Sequence, residues 1–233
     1  MCSRYLIGDG TFEALKEGFF EILDEEGEDF FLPFLSLRGD IRPSVAAPVL
    51  LRETSGKREM AERADGRKEQ DAGAPDRLRM KKYIWGFPGV EGKGLIINAR
   101  CETALDKRLF AESVQKRRCL IPAAGFYEWS ERKDPYFFAP KGPEDGKGRL
   151  LLMAGLYRKW EGQERFVILT TQANPSVCGV HPRMPLILNM EEAREWLRED
   201  CEVSRLLAKT PEELMREPLG QLSLFLWDGA IQA

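Results

Sequence analysis

One histidine occurs in 233 residues, and the five cysteines, Cys2, Cys101, Cys119, Cys178 and Cys201, form no C-x-x-C pair. Protein zinc sites draw on closely spaced thiolates and imidazoles, so this scarcity argues against a resident metal. An odd cysteine count without an export signal points to free thiols in a reducing compartment. No run approaches the roughly 18 apolar residues of a spanning helix, and Met1-Cys2-Ser3-Arg4 leads straight into mixed sequence without a signal-peptide core. A cytoplasmic protein with no membrane partner is the expectation. There is no G-x-G-x-x-G, no P-loop and no internal repeat, which removes the main support for nucleotide-binding α/β folds. The net charge of -3 offers no overall attraction for nucleic acid, so contact with it would need a local patch.

What is present is an ordinary globular balance, 43% hydrophobic and 31% charged, enough for one sizeable core. Charge is unevenly spread. Residues 11–40 are acid-rich, whereas 100–118 carry Arg100, Lys107, Arg108, Lys116, Arg117 and Arg118 against three acids. A basic face is one reading of the second stretch, a solvated surface the other.

Thr11 stands before a helical stripe of Phe12, Leu15, Phe19, Ile22 and Leu23. Apolar content collapses over about 53–80, which reads as a flexible charged insertion, with a short helix over 57–63 as the alternative. Strand-like runs then recur at 83–87, 94–98, 119–121, 126–129, 136–139, 150–157, 166–171 and 186–188. Such spacing, broken by Gly and Pro, suggests an α+β domain whose largely antiparallel or mixed sheet curls or closes like a barrel, flanked by helices. Asn189 with Glu192 forms a capping box, Thr210-Pro211 with Glu213 looks like a second helix start, and 222–227 a final strand.

Chemistry concentrates in few places. Removal of Met1 would leave Cys2 with a thiol and a free α-amine, whose unperturbed pKa values are about 8.5 and about 8. Nitrogen and sulfur two carbons apart can attack one aldehyde twice, first giving an imine and then a five-membered thiazolidine. His181, pinned between Val180 and Pro182, is a positioned proton carrier or a hydrogen-bonded structural residue. Asn98 and Arg100 fall on one side of an extended strand and could hold an anion, or Arg100 could merely pair with Glu102 at a sheet edge. Glu128 lies among Phe126, Tyr127 and Trp129. Burial would raise its pKa into a useful range, unless it faces water. Tyr83, Trp85 and Phe87 form an aromatic strand face, suited to stacking bases or to filling a core.

Taken in order, Met1-Cys2-x-Arg4-Tyr5, Asn98-Ala99-Arg100-x-Glu102-Thr103, Gly125-Phe126-Tyr127-Glu128-Trp129, Thr170-Thr171-x-Ala173-Asn174 and His181-Pro182-Arg183-Met184-Pro185 resemble the SOS response-associated peptidase (SRAP) family. The resemblance implies an SRAP-like domain over 1–233 that senses abasic sites in single-stranded DNA. Cys2 would be the nucleophile of a thiazolidine cross-link, after autocatalytic removal of Met1. Asn98 and Arg100 would hold the sugar and its phosphate, Glu128 and His181 would move protons, Arg4 and Arg183 would meet backbone phosphates, and Trp85 would lie along the DNA path. The resemblance also implies strand scission at abasic sites and, on DNA, association with the nucleoid. No cofactor is implied, and a monomer is expected. Two departures stand out: Ser3 replaces the family's glycine, and residues 43–48 match its Tyr-Asn-x-Ala-Pro segment only loosely, without the asparagine.

Two other classes fit part of the pattern. An N-terminal-nucleophile peptidase or amidotransferase would use Cys2 on a carbonyl with its own amine as base. A non-covalent single-strand binder would use the patch and the aromatics and ignore Cys2.

Overall fold

The computed structural model describes residues 2–19, 32–53, 77–89, 92–142 and 148–220. Its strands are β1 (Tyr5–Ile7), β2 (Gly39–Ile41), β3 (Ala46–Glu53), β4 (Arg77–Trp85), β5 (Phe87–Pro88), β6 (Leu95–Ile96), β7 (Asn98–Arg100), β8 (Arg118–Ala123), β9 (Gly125–Trp129), β10 (Pro135–Ala139), β11 (Leu151–Trp160), β12 (Gln163–Gln172), β13 (Arg183–Pro185), β14 (Ile187–Leu188) and β15 (Met215–Pro218).

Five of them close on themselves. β3 pairs with β4, β4 with β12, β12 with β11, β11 with β8, and β8 again with β3. Every pairing in this ring is antiparallel except β4 with β12. Closure explains the patterning. A strand in a small barrel packed outside as well as inside has little need of polar alternation, and β8 is buried at all six positions. The ring is tight at Gly155 on β11, where a methyl group would lie 2.3 Å from Ile121 Cδ1 and 2.9 Å from the Val167 carbonyl.

From β8 the chain passes through Ala124 into β9 and a second, wholly antiparallel sheet ordered β15-β10-β9-β1-β2. This is the α+β, barrel-like architecture expected. The aromatic strand face belongs to its core: Tyr83, Trp85 and Phe87 are all buried. Trp85 stacks on Phe166 with centroids 6.1 Å apart, meets Tyr5 at 5.2 Å, and donates from Nε1 to the Ile97 carbonyl at 2.9 Å.

Several local expectations change. The helix Thr11–Phe19 buries Phe12, Leu15 and Phe19, while Ile22 and Leu23 lie outside the described residues. Thr11 is its first residue, and its Oγ1 accepts from the Gly8 N–H at 3.1 Å. The charged insertion narrows to 54–76, because Glu53 closes β3 opposite Arg77 at the start of β4. Those residues, with the helix suggested over 57–63 and the strand over 222–227, lie outside the described residues. The helix expected from Pro211 is replaced by a held loop and strand β15. The Asn174 side chain donates to the carbonyls of Pro211 and Glu212 at 3.1 and 2.7 Å, and Leu214 N–H donates to Ser176 Oγ. Arg118, read as part of a basic face, is buried, donating to the carbonyls of Trp196, Val114 and Gln115 at the ends of two helices. No helix among the described residues is long and apolar enough to cross a membrane.

Candidate active site

Cys2 enters at the seam between the two sheets. It lies just ahead of β1, which pairs with β9 through Tyr5 and Phe126. Beyond that pair the strands continue, with Tyr127 N–H donating to the Arg4 carbonyl at 3.0 Å, and Glu128 follows. On the barrel side, β7 lies parallel to β12 with Asn98 opposite Ile168 and Arg100 opposite Thr170. One bond stitches the sides together: Asn98 Nδ2 donates to the Cys2 carbonyl at 2.9 Å. Ala99 between them is buried, so Asn98 and Arg100 share the other side of β7, as strand alternation requires. Asn98 Oδ1 has no hydrogen-bond partner among the described residues.

The Cys2 thiol is fully buried and donates weakly to the Arg4 carbonyl at 3.7 Å. Burial pushes its pKa far up, and the charge of Glu128 adds to the effect. At neutral pH this sulfur is a thiol, and any nucleophilic use of it would need a base to take its proton. Glu128, only 2% exposed, is itself raised by burial, with the positive form of His181 among the influences opposing the shift. Its Oε1 lies 3.9 Å from His181 Nδ1.

The imidazole is held by the turn that precedes β13. A single peptide unit, Pro182 to Arg183, works in both directions. Its oxygen accepts from Ala173 N–H at 3.0 Å, and its N–H donates to His181 Nδ1 at 3.1 Å. In the neutral ring this leaves the proton on Nε2. When the ring is doubly protonated, Nδ1 can donate to the Arg183 carbonyl, also 3.1 Å away. The Thr-Thr-x-Ala-Asn motif therefore shapes the backbone around the histidine. Ala173 anchors the turn, and Asn174 caps the helix Pro175–Cys178 that leads to it.

The proposed DNA contacts fare unequally. Arg100 is exposed. Arg4 is 7% exposed; its guanidinium is engaged by Asp40, with an Nε to Oδ2 distance of 3.0 Å, and lies over the Tyr127 ring at 4.8 Å. Trp85 shows no face to solvent. For these two residues the second sheet and the barrel core claim the side chains. Arg183 forks onto Glu102, with Nη2 to Oε2 at 2.9 Å, and its Nη2 also donates to the Thr170 carbonyl. The carboxylate of Glu102 is thus gripped by Arg183, 81 residues away, and not by Arg100. Asp40 escapes the sequence reading for the same reason, since nothing local marks a partner 36 residues away along the chain. Among the described residues no cluster of side chains suited to a metal ion occurs, and all five cysteines are free.

Comparison with known proteins adds to this geometry. The sequence model of the family described as SOS response associated peptidase (SRAP) matches residues 1–221. The abasic site processing protein YoaM of Bacillus subtilis (strain 168) is 30% identical over 208 residues, covering 84% of this chain and 79% of YoaM. YoqW of the same organism, also called an abasic site processing protein, is 38% identical over 129 residues, 51% of this chain and 57% of YoqW. For YedK of Escherichia coli (strain K12), which carries the same description, the figures are 32% over 133 residues, 54% and 58%. The match thus spans little more than half the length of YoqW and YedK. A crystal structure of a Bordetella bronchiseptica protein shares the fold, with a TM-score of 0.65 at 22% identity over 94% of this chain and all of that one.

Proposed function

Because the chain belongs to the SOS response associated peptidase family, we propose that it captures abasic sites in single-stranded DNA as a thiazolidine on Cys2. The carrying observation is the grip of Asn98 on the Cys2 carbonyl, at the seam where Glu128 and His181 face each other 3.9 Å apart.

Hydrolysis of the Met1–Cys2 peptide bond, assigned to the protein itself, exposes the Cys2 amine. That amine adds to the aldehyde of the ring-opened sugar, and loss of one water gives an imine. The thiol sulfur then bonds to the imine carbon while its proton ends on the nitrogen, closing the ring with no oxidant or cofactor. Glu128, raised by burial, is suited to protonate the departing hydroxyl and to receive the thiol proton, and His181 relays it. Partition of the same imine into elimination would cut the strand. Arg100 is the phosphate contact best exposed to meet the strand, and the chain acts as a monomer on it.

Intact mass tests the reading. Incubation with an abasic single-stranded oligonucleotide should give one species at the mass of the protein without Met1, plus the oligonucleotide, minus one water. Cys2→Ala should yield an adduct only after borohydride reduction, together with weak, salt-sensitive binding. A denaturation-resistant adduct of unreduced Cys2→Ala would refute the nucleophile. Glutamine hydrolysis in place of cross-linking would favour the amidotransferase.

A further inference from the structure

Two cations border the site, and one carboxylate faces both. Glu102 sits in the short helix Cys101–Ala104 that follows β7. It accepts both terminal nitrogens of Arg183 and feels the charge of Arg100, and the Arg183 hydrogen bond is the main cause that holds its pKa below the ordinary glutamate value. A carboxylate accepting a guanidinium fork is the nearest protein equivalent of a phosphate doing the same. The two partners differ in freedom. The Arg183 side chain is 14% exposed and tied to the Thr170 carbonyl, whereas that of Glu102 is 44% exposed to water.

We propose that Glu102 is a specificity-determining residue that limits affinity for intact single strands: it occupies Arg183 in the DNA-free protein, so a backbone phosphate must displace a carboxylate before it can use that cation. The inference rests on the DNA reading of the site. Reversible binding is kept weak by a built-in competitor, and lasting retention is left to the covalent step, which only an aldehyde supports. Undamaged strands then leave quickly.

The test is fluorescence anisotropy with an undamaged labelled oligonucleotide and Cys2→Ala protein, so that no covalent step intervenes. Adding Glu102→Gln should tighten binding about fivefold at low salt, the upper end for an exposed ion pair. It should also steepen the salt dependence by close to the ~0.7 expected for one more phosphate on a single strand. In an Arg183→Gln background the gain should largely vanish. Unchanged or weaker binding by Glu102→Gln, with its melting temperature preserved, would overturn the inference, as would a gain undiminished in Arg183→Gln. Cross-linking of an abasic strand by the unmodified protein is scored separately. Cross-linking without any gain in affinity sinks the role of Glu102 alone, whereas tighter binding without cross-linking sinks the reading of Cys2 alone.

Discussion

Glu128 is where stability and the proposed chemistry would oppose each other within one side chain. Burial raises its folded-state pKa, so the folded protein binds this proton more tightly than the unfolded chain. Stability therefore falls as pH rises through the interval between the ordinary glutamate value, roughly 4.3, and the raised one. Glu128→Gln removes the buried charge. We expect a higher melting temperature at about pH 7 to 8, a gain that fades toward about pH 4, and slower cross-linking throughout. Calorimetry across pH, run beside the cross-linking assay, reads both; a lower melting temperature on the alkaline side would contradict the burial argument. The thiols make a second case. Cys178 is exposed, whereas Cys2, Cys101 and Cys119 are buried with pKa values raised by that burial. A short iodoacetamide pulse on the native protein should modify Cys178 first and leave Cys2 untouched, with peptide mapping before and after unfolding as the check.

At the scale of elements, local chemistry was readable wherever it acts over a few residues. The Asn189 and Glu192 capping box forms as read, with both reciprocal bonds at 2.9 Å, and most strand runs from 119 to 188 fall on β8 to β14. The failures are tertiary. The Thr210-Pro211 signal was sound for an isolated chain, but the Asn174 amide takes the carbonyls a helix would have used. β1 and β2, three residues each, lack the length to show alternation. One turn offers a clean test. Glu161 and Gly162 join β11 to β12 with φ of 47° and 82°, between paired Trp160 and Gln163. Positive φ at both positions is the two-residue hairpin turn that favours Asn-Gly. Glu161→Asn should stabilise by about 1 kcal/mol, read from urea denaturation.

For the whole molecule, the closed ring is what sequence inspection could only suggest, since β4 meets β12 across some eighty residues of chain. Candidate site residues were visible by type, but not their engagement. Cys2, Asn98, Glu128 and His181 come from separate segments that only the seam between the sheets unites, and the same packing took Arg4 and Trp85 inward. Strand pairing is complete on either side of residues 54–76. Because Glu53 and Arg77 already face each other, replacing 54–76 with Asn-Gly should complete an ordinary hairpin. The shortened protein should melt cooperatively and cross-link at an unchanged rate, and loss of either property would tie those residues to the site.

The bond from Asn98 grasps residue 2 by its carbonyl oxygen. That atom would be untouched by the proposed excision of methionine and again by closure of nitrogen and sulfur on a sugar. On the proposed chemistry the same anchor would serve precursor, mature protein and adduct alike, and the terminus would change its covalent identity twice without being let go.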